Sequence, residues 1–247
     1  MRSRQTEHHR AIEASALAAL RSEPLLGPTF HADELRLEAD GVLLLRGEVS
    51  DVASKKVALA RVAAIPGVSA IADHLHVRPA AVMGDKEIRV HVRNALIDEL
   101  SFAALEIQEV VTDEPELARG APLGSRGRIS VEVKQSLVIL NGEVPGLTSK
   151  RLAGVIAWWV PGVRDVINGL AVQPPEEDSP DHIAEAVRVV HEKDPFVDAS
   201  LITVDVQRRT VRLGGIVPSE VARRAAVRDA WMLFGVDRVI DEISVRP

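Results

Sequence analysis

Hydrophobic positions along the chain fall into two spacings, and the order of these spacings repeats three times. Each copy begins with apolar residues four and three apart, as at Ile12, Ala16 and Ala19, which places them on one face of a helix. Two short runs of alternating apolar and polar residues follow, a pattern typical of strands with one buried face. A second helical pattern and a third strand pattern complete the copy. The order predicts an α-β-β-α-β unit, present three times.

Glycines keep the three copies in one frame. In each copy a glycine ends the second strand, and a second glycine, followed by Val, stands twenty residues later. We expect the first glycine to allow a positive φ or a close backbone approach, and the second to cap the second helix in the left-handed conformation. The strand glycines are Gly47, Gly142 and Gly215, and the cap glycines are Gly67, Gly162 and Gly235.

The predicted fold class is α+β, with three tandem small units, each a three-stranded mixed sheet covered by two helices. The crossover through the second helix makes the third strand parallel to the second. The predicted domains are residues 1–79, residues 84–174 with an insertion at about 103–128, and residues 180–247. Within the insertion, Leu105, Ile107 and Val111 predict an extra strand. An acid closes the first helix of each unit: Glu23, Glu99 and Asp194.

Composition excludes several classes of protein. The chain of 247 residues has no Cys, which excludes a disulfide framework and thiolate chemistry. Its net charge of −6 does not favour nucleic-acid binding, because duplex binding needs a basic surface. No apolar h-region follows the charged start, so we expect no signal peptide and a cytoplasmic location, or a periplasmic one if a leader has been removed.

Sequence motifs for catalysis are missing from the chain. It contains neither a phosphate-binding loop nor a serine-nucleophile elbow nor a zinc-protease motif, so we predict that it is not an enzyme and uses no cofactor. His74 and His76 lie two apart on the third strand of the first unit and share a face. Two exposed histidines are most often solvated, and we therefore predict no metal site.

Basic and aromatic residues concentrate on the second helix of each unit. A basic pair occupies one position in all three copies, although cations at a helix start oppose the helix dipole. All three Trp residues lie on this helix in the second and third units. The alternatives are a solvated basic face with indoles between units, or a docking patch for lipid or a partner. The candidate binding residues are Lys55, Lys56, Lys150, Arg151, Trp158, Trp159, Arg223, Arg224 and Trp231.

The repeated frame resembles the BON domain. In the first unit the resemblance is carried by Asp40-Gly41, Gly47, Gly67-Val68 and Val77, and the same frame holds in the other units without the hairpin glycine. BON domains occur in bacterial envelope and stress proteins, and the resemblance implies phospholipid attachment or partner binding. Two features of some family members are not expected in this chain. Many envelope members carry a leader, and potassium-binding members add a LysM module.

Three functional hypotheses follow from the residues and the resemblance. The first is a non-enzymatic module that attaches to anionic phospholipid surfaces through its tandem units. The alternative is a protein-interaction scaffold, self-associating or not, that uses the Trp-bearing face of the second helix. A remote alternative is an ion-binding sensor.

Overall fold

The computed structural model describes residues 2–28, 30–122 and 127–246, with side chains from residue 7 onward. The chain forms two compact parts, an N-terminal body (Met1–Arg78) and a C-terminal body (Pro79–Pro247). The first repeat is the N-terminal body, and the second and third repeats together make the C-terminal body. No helix in the described ranges is both long and apolar enough to cross a bilayer.

The N-terminal body is an α-β-β-α-β unit, as predicted. Its sheet has the order β1-β2-β3, with β1 antiparallel to β2 and β3 parallel to β2. Asp51 begins the second helix as its N-cap, because its Oδ1 accepts a hydrogen bond from the backbone N of Ser54 at 2.8 Å. The elements are α1 (Arg2–Arg21), β1 (Ala32–Leu37), β2 (Val42–Val49), α2 (Val52–Ala63) and β3 (Ala70–Val77).

Both helices of the N-terminal body pack on one side of this sheet. Alternating strand residues and every third or fourth helix residue enter the core, as their spacing predicts. The buried residues include Ile12, Ala16, Leu20, Leu43, Leu45, Ala58, Val62 and Leu75.

The C-terminal body contains the same unit twice, with an added hairpin in the first copy. The elements of the second repeat are α3 (Asp85–Asp98), β4 (Glu106–Val111), β5 (Glu114–Arg119), β6 (Arg128–Lys134), β7 (Leu137–Val144), α4 (Leu147–Trp158), β8 (Asp165–Asn168) and β9 (Ala171–Val172). Those of the third repeat are α5 (Pro180–Lys193), β10 (Ile202–Gln207), β11 (Thr210–Val217), α6 (Glu220–Met232) and β12 (Arg238–Val245).

The insertion adds two strands, β4 and β5, to the sheet of the second repeat, and the division of the third strand of the unit into β8 and β9 brings the total to six. The order is β5-β4-β6-β7-β8, with β9 also paired to β7, whereas the third repeat keeps the simple order β10-β11-β12. The predicted extra strand is β4, which runs parallel to β6 and buries Ile107. Its antiparallel partner β5 was not predicted, because Glu114, Pro115 and Glu116 are exposed and show no apolar alternation.

Two of the strand glycines are required by a close backbone approach. Gly142 and Gly215 have φ of +124° and +120°. A Cβ on either one would stand 2.1 Å from a backbone carbonyl oxygen, that of Arg128 on β6 or that of Leu201 just before β10. The third, Gly47, lacks the positive φ, although a Cβ there would still be 3.1 Å from a backbone oxygen.

The glycines after the second helix have the predicted conformation in two repeats, but they are not the helix caps. Gly67 and Gly235 have φ of +97° and +90°, whereas α2 and α6 are capped at Ala64 and Leu233, so each glycine lies in the turn that follows the cap. Gly162 is not in the left-handed region, and the prediction of a left-handed cap there is wrong. It is buried, and a Cβ on it would be 2.6 Å from the Cβ of Met83, so the absence of a side chain makes room for packing.

The second and third repeats share one hydrophobic core. Helix α4 packs on its own sheet and also on α5 and α6 of the third repeat. As a result every residue from Arg151 to Ala157 is buried. Ala153 and Ala226, predicted to be buried at the closest approach of helix and sheet, are both inaccessible to solvent, as is Ala58 in the first repeat.

Candidate functional site

The basic pair of the first repeat lies at the start of α2. Lys55 is buried, with 7% of its surface exposed, and its Nζ forms an ion pair with Asp73 on β3 at 3.0 Å. Lys56 is half-buried. The charge of Lys55 is therefore balanced inside the body by the third strand.

The basic pair of the second repeat holds the two repeats of the C-terminal body together. Arg151 is fully buried; its Nη2 donates to both carboxylate oxygens of Asp178 at 2.7 Å, and its Nε donates to the carbonyl of Phe234 at 2.8 Å. The Nζ of Lys150 lies 5.1 Å from the centre of the Phe234 ring, a cation–π contact. Burial, and then the charge of Arg151, lower the pKa of Lys150.

The acidic linker between these repeats is fixed against α4. Glu176 Oε2 accepts a hydrogen bond from the backbone N of Leu147 at 2.9 Å, at the helix start. Asp178 supplies the carboxylate that pairs with Arg151. A carboxylate at a helix N-terminus also interacts favourably with the helix dipole. Glu176 and Asp178 thus bind α4 rather than remaining available to an external cation.

The basic pair of the third repeat is the most accessible. Arg223 Nε donates to Asp241 Oδ2 at 2.8 Å, and this hydrogen bond raises the pKa of Arg223. Arg224 keeps 75% of its side-chain surface exposed and lies 3.6 Å from Glu220. Exposed ion pairs of this kind contribute little stability, so Arg224 can exchange its partner for an external anion.

Two of the three indoles pack against the core that the repeats of the C-terminal body share, and the third is buried on α6. Trp159 is half-buried, and its Nε1 donates to Asp229 Oδ1 of α6 at 3.1 Å. Trp158 is also half-buried and packs against the shared core, and Trp231 is only 6% exposed. For Trp159 the structure agrees with the alternative in which an indole fills a contact between units. The assignment of all nine residues to lipid or partner binding stays a prediction.

Charged residues cluster next to the indole of Trp159, and the sequence pattern did not indicate this cluster. Asp229 is fully buried, and Arg228 Nη2 lies 3.2 Å from its Oδ1 and 2.8 Å from Asp194 Oδ2. Burial raises the pKa of Asp229 to about 7; the Trp159 hydrogen bond opposes the rise, and the charge of Asp194 adds to it. Burial also lowers the pKa of His191, whose Nε2 lies 3.0 Å from the carbonyl of Ala226.

The acids that close the first helices each form an ion pair. In two repeats the cation belongs to the same repeat, and in the second repeat it comes from the third. Glu23 pairs with Arg61 at 2.7 Å and Asp194 with Arg228 at 2.8 Å, each using the second helix of its own repeat. In the second repeat that helix carries no cation facing the acid, and Glu99 pairs with Lys193 of the third repeat at 2.9 Å.

Burial acts to raise the pKa of Glu99, but hydrogen bonds from Lys193 and Ser101 together lower it below its ordinary value. Within the residues that the structure describes, no group of three or more His, Asp or Glu side chains gathers as a metal site.

The fold and its surface define the chain as a tandem repeat of small α+β modules whose polar clusters bind other parts of the same chain. The sequence pattern of the BON domain matches residues 9–79, 116–174 and 179–247. The chain belongs to the BON domain family, whose members are binding modules rather than enzymes.

Comparison with solved structures gives distant similarities, two of which are to the same protein. Both are to CdsD, a structural protein of the type III secretion system of Chlamydia trachomatis, one of them to its C-terminal domain. Each is 14% identical and covers 95% of this chain, with 91% and 96% of the other chain covered and TM-scores of 0.24 and 0.23. A search of curated protein sequences returned no match.

Proposed function

We propose that the chain is a non-enzymatic binding protein that attaches to anionic phospholipid surfaces. The observation that carries this proposal is the outward side of α6. The corresponding side of α4 is covered by the third repeat, but α6 exposes both cations and apolar side chains. Membership in a family of binding modules supports the same class of function.

The exposed side of α6 combines two kinds of side chain. Val221, Arg224 and Arg228 are three and four residues apart, so they lie on one side of the helix. Val221 is 60% exposed, and the side chains of Arg224 and Arg228 are 75% and 46% exposed. Just past the helix, Phe234 is 51% exposed beneath the amine of Lys150. Such a surface suits the boundary of a bilayer, where apolar groups meet the acyl chains and cations meet the phosphates.

The charges alone do not give stable attachment. One cation near an anionic membrane contributes about 1 kcal/mol, so Arg224 and Arg228 contribute at most about 2 kcal/mol, and less to the extent that Arg228 stays paired with Asp194. By the affinity relation this corresponds to a Kd on the order of 30 mM. The proposal therefore requires apolar contact with the bilayer in addition to the arginines.

Co-sedimentation of the full chain with vesicles tests the proposal. We expect binding to vesicles of anionic phosphatidylglycerol at low salt, weaker binding at high salt because screening shortens the reach of the charges, and little binding to phosphatidylcholine. Arg224→Gln should weaken binding about fivefold, the equivalent of 1 kcal/mol. Arg238→Gln, an exposed arginine on β12, is the matched control and should change binding less. Absence of the wild-type chain from the anionic pellet at low salt would refute the proposal.

A second candidate function is a protein-interaction scaffold that uses the Trp-bearing face of the second helix. The packing of α4 on α5 and α6 favours it, because there this face already receives another BON repeat. If the chain also uses the face between molecules, sedimentation velocity will show a mass that rises with protein concentration. A single monomeric species over a hundredfold concentration range would exclude self-association.

A further inference from the structure

One end of the third repeat is unusually apolar for a solvent-exposed surface. It is the end where β10 begins, β11 ends and α6 begins. Four large apolar residues are exposed on the segments that meet there: Phe196 (63%), Leu201 (41%), Ile216 (46%) and Val221 (60%). We refer to these four residues as the apolar end.

The other repeats show that the fold does not require apolar residues at these positions. The glycine frame, the strand register and the acid that closes the first helix align the four positions across the chain. The equivalents in the second repeat are all polar: Ser101, Arg128, Glu143 and Thr148. Those in the first repeat are Leu25, His31, Glu48 and Ala53.

Strand pairing places two members of the apolar end next to each other. Ile202 pairs with Gly215, so the next positions outward on the two chains are Leu201 and Ile216. In the second repeat the same two positions pair in register as Arg128 and Glu143. The opposite charges at these two positions of the second repeat are thus replaced in the third repeat by two apolar residues that solvent reaches, Leu201 in the turn before β10 and Ile216 on β11.

We propose that the apolar end of the third repeat is the anchor that inserts into a phospholipid surface. The inference rests on the proposed function and assigns a site to it. It supplies the apolar contact that the arginines of α6 lack, since Val221 belongs to both surfaces and Arg224 lies one turn further along the helix.

The position and the charges of the apolar end fit a bilayer. Its residues stand on a loop, on strand ends and on the first turn of a helix, from which they can enter a soft surface without a matching groove. The exposed Arg246 is held beside it, because its backbone N donates to Val217 O at 3.0 Å. The nearby acid Glu220 is paired with both Arg223 and Arg224. The apolar end is therefore bordered by three arginines that can meet lipid phosphates, and one exposed acid, Asp198, stands between Phe196 and Leu201.

The double substitution Leu201→Arg with Ile216→Glu tests the inference. It gives the third repeat the pair that the second repeat already carries at these positions, and it leaves the net charge unchanged. Long-range attraction to anionic vesicles is therefore preserved, while two inserted side chains are lost. We expect vesicle binding to fall on the order of tenfold or more. The reverse exchange in the second repeat, Arg128→Leu with Glu143→Ile, is the matched control for changes in folding.

A fluorescent label gives a measurement that does not depend on the folding of the double variant. The chain has no Cys, so Ile216→Cys accepts a single environment-sensitive dye. With anionic vesicles the emission should shift to the blue at this position. The matched variant Glu143→Cys, at the equivalent site of the second repeat, should show no shift.

The outcomes separate the site from the function. If wild-type chain fails to bind vesicles, the proposed function and this inference both fail. If it binds, but the double variant binds equally and the label at 216 does not shift, the inference alone is overturned. If the chain instead forms a lipid-free dimer that the double substitution dissociates, the apolar end is an interface between copies and the inference is likewise overturned.

Discussion

Replacing Asp229 with Asn should stabilise the C-terminal body at neutral pH. The carboxyl group is fully buried at the contact between the repeats, and among the described residues no donor reaches its Oδ2, which lies near the carboxyl group of Asp194. The pKa of Asp229 is raised from 3.8 to about 7, first by burial. A difference of about 3 pKa units corresponds to about 4 kcal/mol of lost stability once the group must ionise. Asn keeps the oxygen that accepts from Trp159 Nε1 and carries no charge.

The pH dependence of this effect has a definite sign. The folded chain keeps the Asp229 proton up to about pH 7, whereas the unfolded chain releases it near pH 4. Asp229 therefore makes stability fall as pH rises from 4 to 7, with no further loss above. His191 acts in the opposite direction, because its pKa is lowered and the unfolded chain takes up a proton below pH 6.5. Subtracting wild type from Asp229→Asn cancels His191, which both chains contain.

Urea unfolding followed by Trp fluorescence measures this difference. All three Trp residues lie in the C-terminal body, so the signal reports on that body alone. The stability gain of Asp229→Asn should be near zero at pH 4, grow through pH 7 and then stay constant. Asp205→Asn, on the exposed side of β10, is the control and should give no such curve. A gain that does not change with pH, or a loss at pH 8, would show that Asp229 is not held neutral by burial.

Three further predictions concern stability. Gly215→Ala should cost roughly 1–3 kcal/mol of unfolding free energy, because of its positive φ and the carbonyl 2.1 Å from the added Cβ. Gly120→Ala is the control: its Cβ meets no atom of the described residues within 4 Å, and it should be nearly neutral in the same urea titration. Arg151→Ala should cost roughly 1–3 kcal/mol of unfolding free energy, because the Phe234 carbonyl is left without its donor. Limited proteolysis should then cleave the linker at 173–180 faster, and unchanged cleavage would show that Arg151 does not hold the linker in place. Ala226→Leu should cost roughly 1–3 kcal/mol by overpacking, and an unchanged unfolding midpoint would mean that the helix face is assigned wrongly.

Local patterns predict the repeat well and the contacts between repeats poorly. Hydrophobic spacing and the glycine frame are local, and they correctly predict the order of elements, the parallel third strand and the burial of the three alanines. The role of Arg151 depends on partners 27 and 83 residues away, so no spacing near it distinguishes an intramolecular clamp from a lipid-binding cation. The conformation predicted for Gly162 is wrong for a similar reason, since the side chain that requires a glycine there is that of Met83, a distant residue in the sequence.

The exposed apolar pair of the third repeat was open to detection in the sequence. Ile216 occupies the position of Glu48 and Glu143 in an otherwise constant Gly-x-Val frame. Its significance depends on the cross-strand neighbour Leu201, which the register of β10 and β11 identifies. A substitution within a repeat becomes informative when the structure shows which second position has changed with it.

The ion pair between Glu99 and Lys193 limits how this tandem array can be divided or rearranged. The first repeat closes its first helix with its own Arg61 and carries that pairing wherever it is placed. The second repeat cannot form this ion pair by itself, because its acid, Glu99, pairs with a lysine some ninety residues later in the sequence. Duplication of the second repeat alone would leave an acid without its cation, and so would deletion of the third. The first repeat can therefore be moved to another protein alone with this ion pair intact. The second repeat must be moved together with the third.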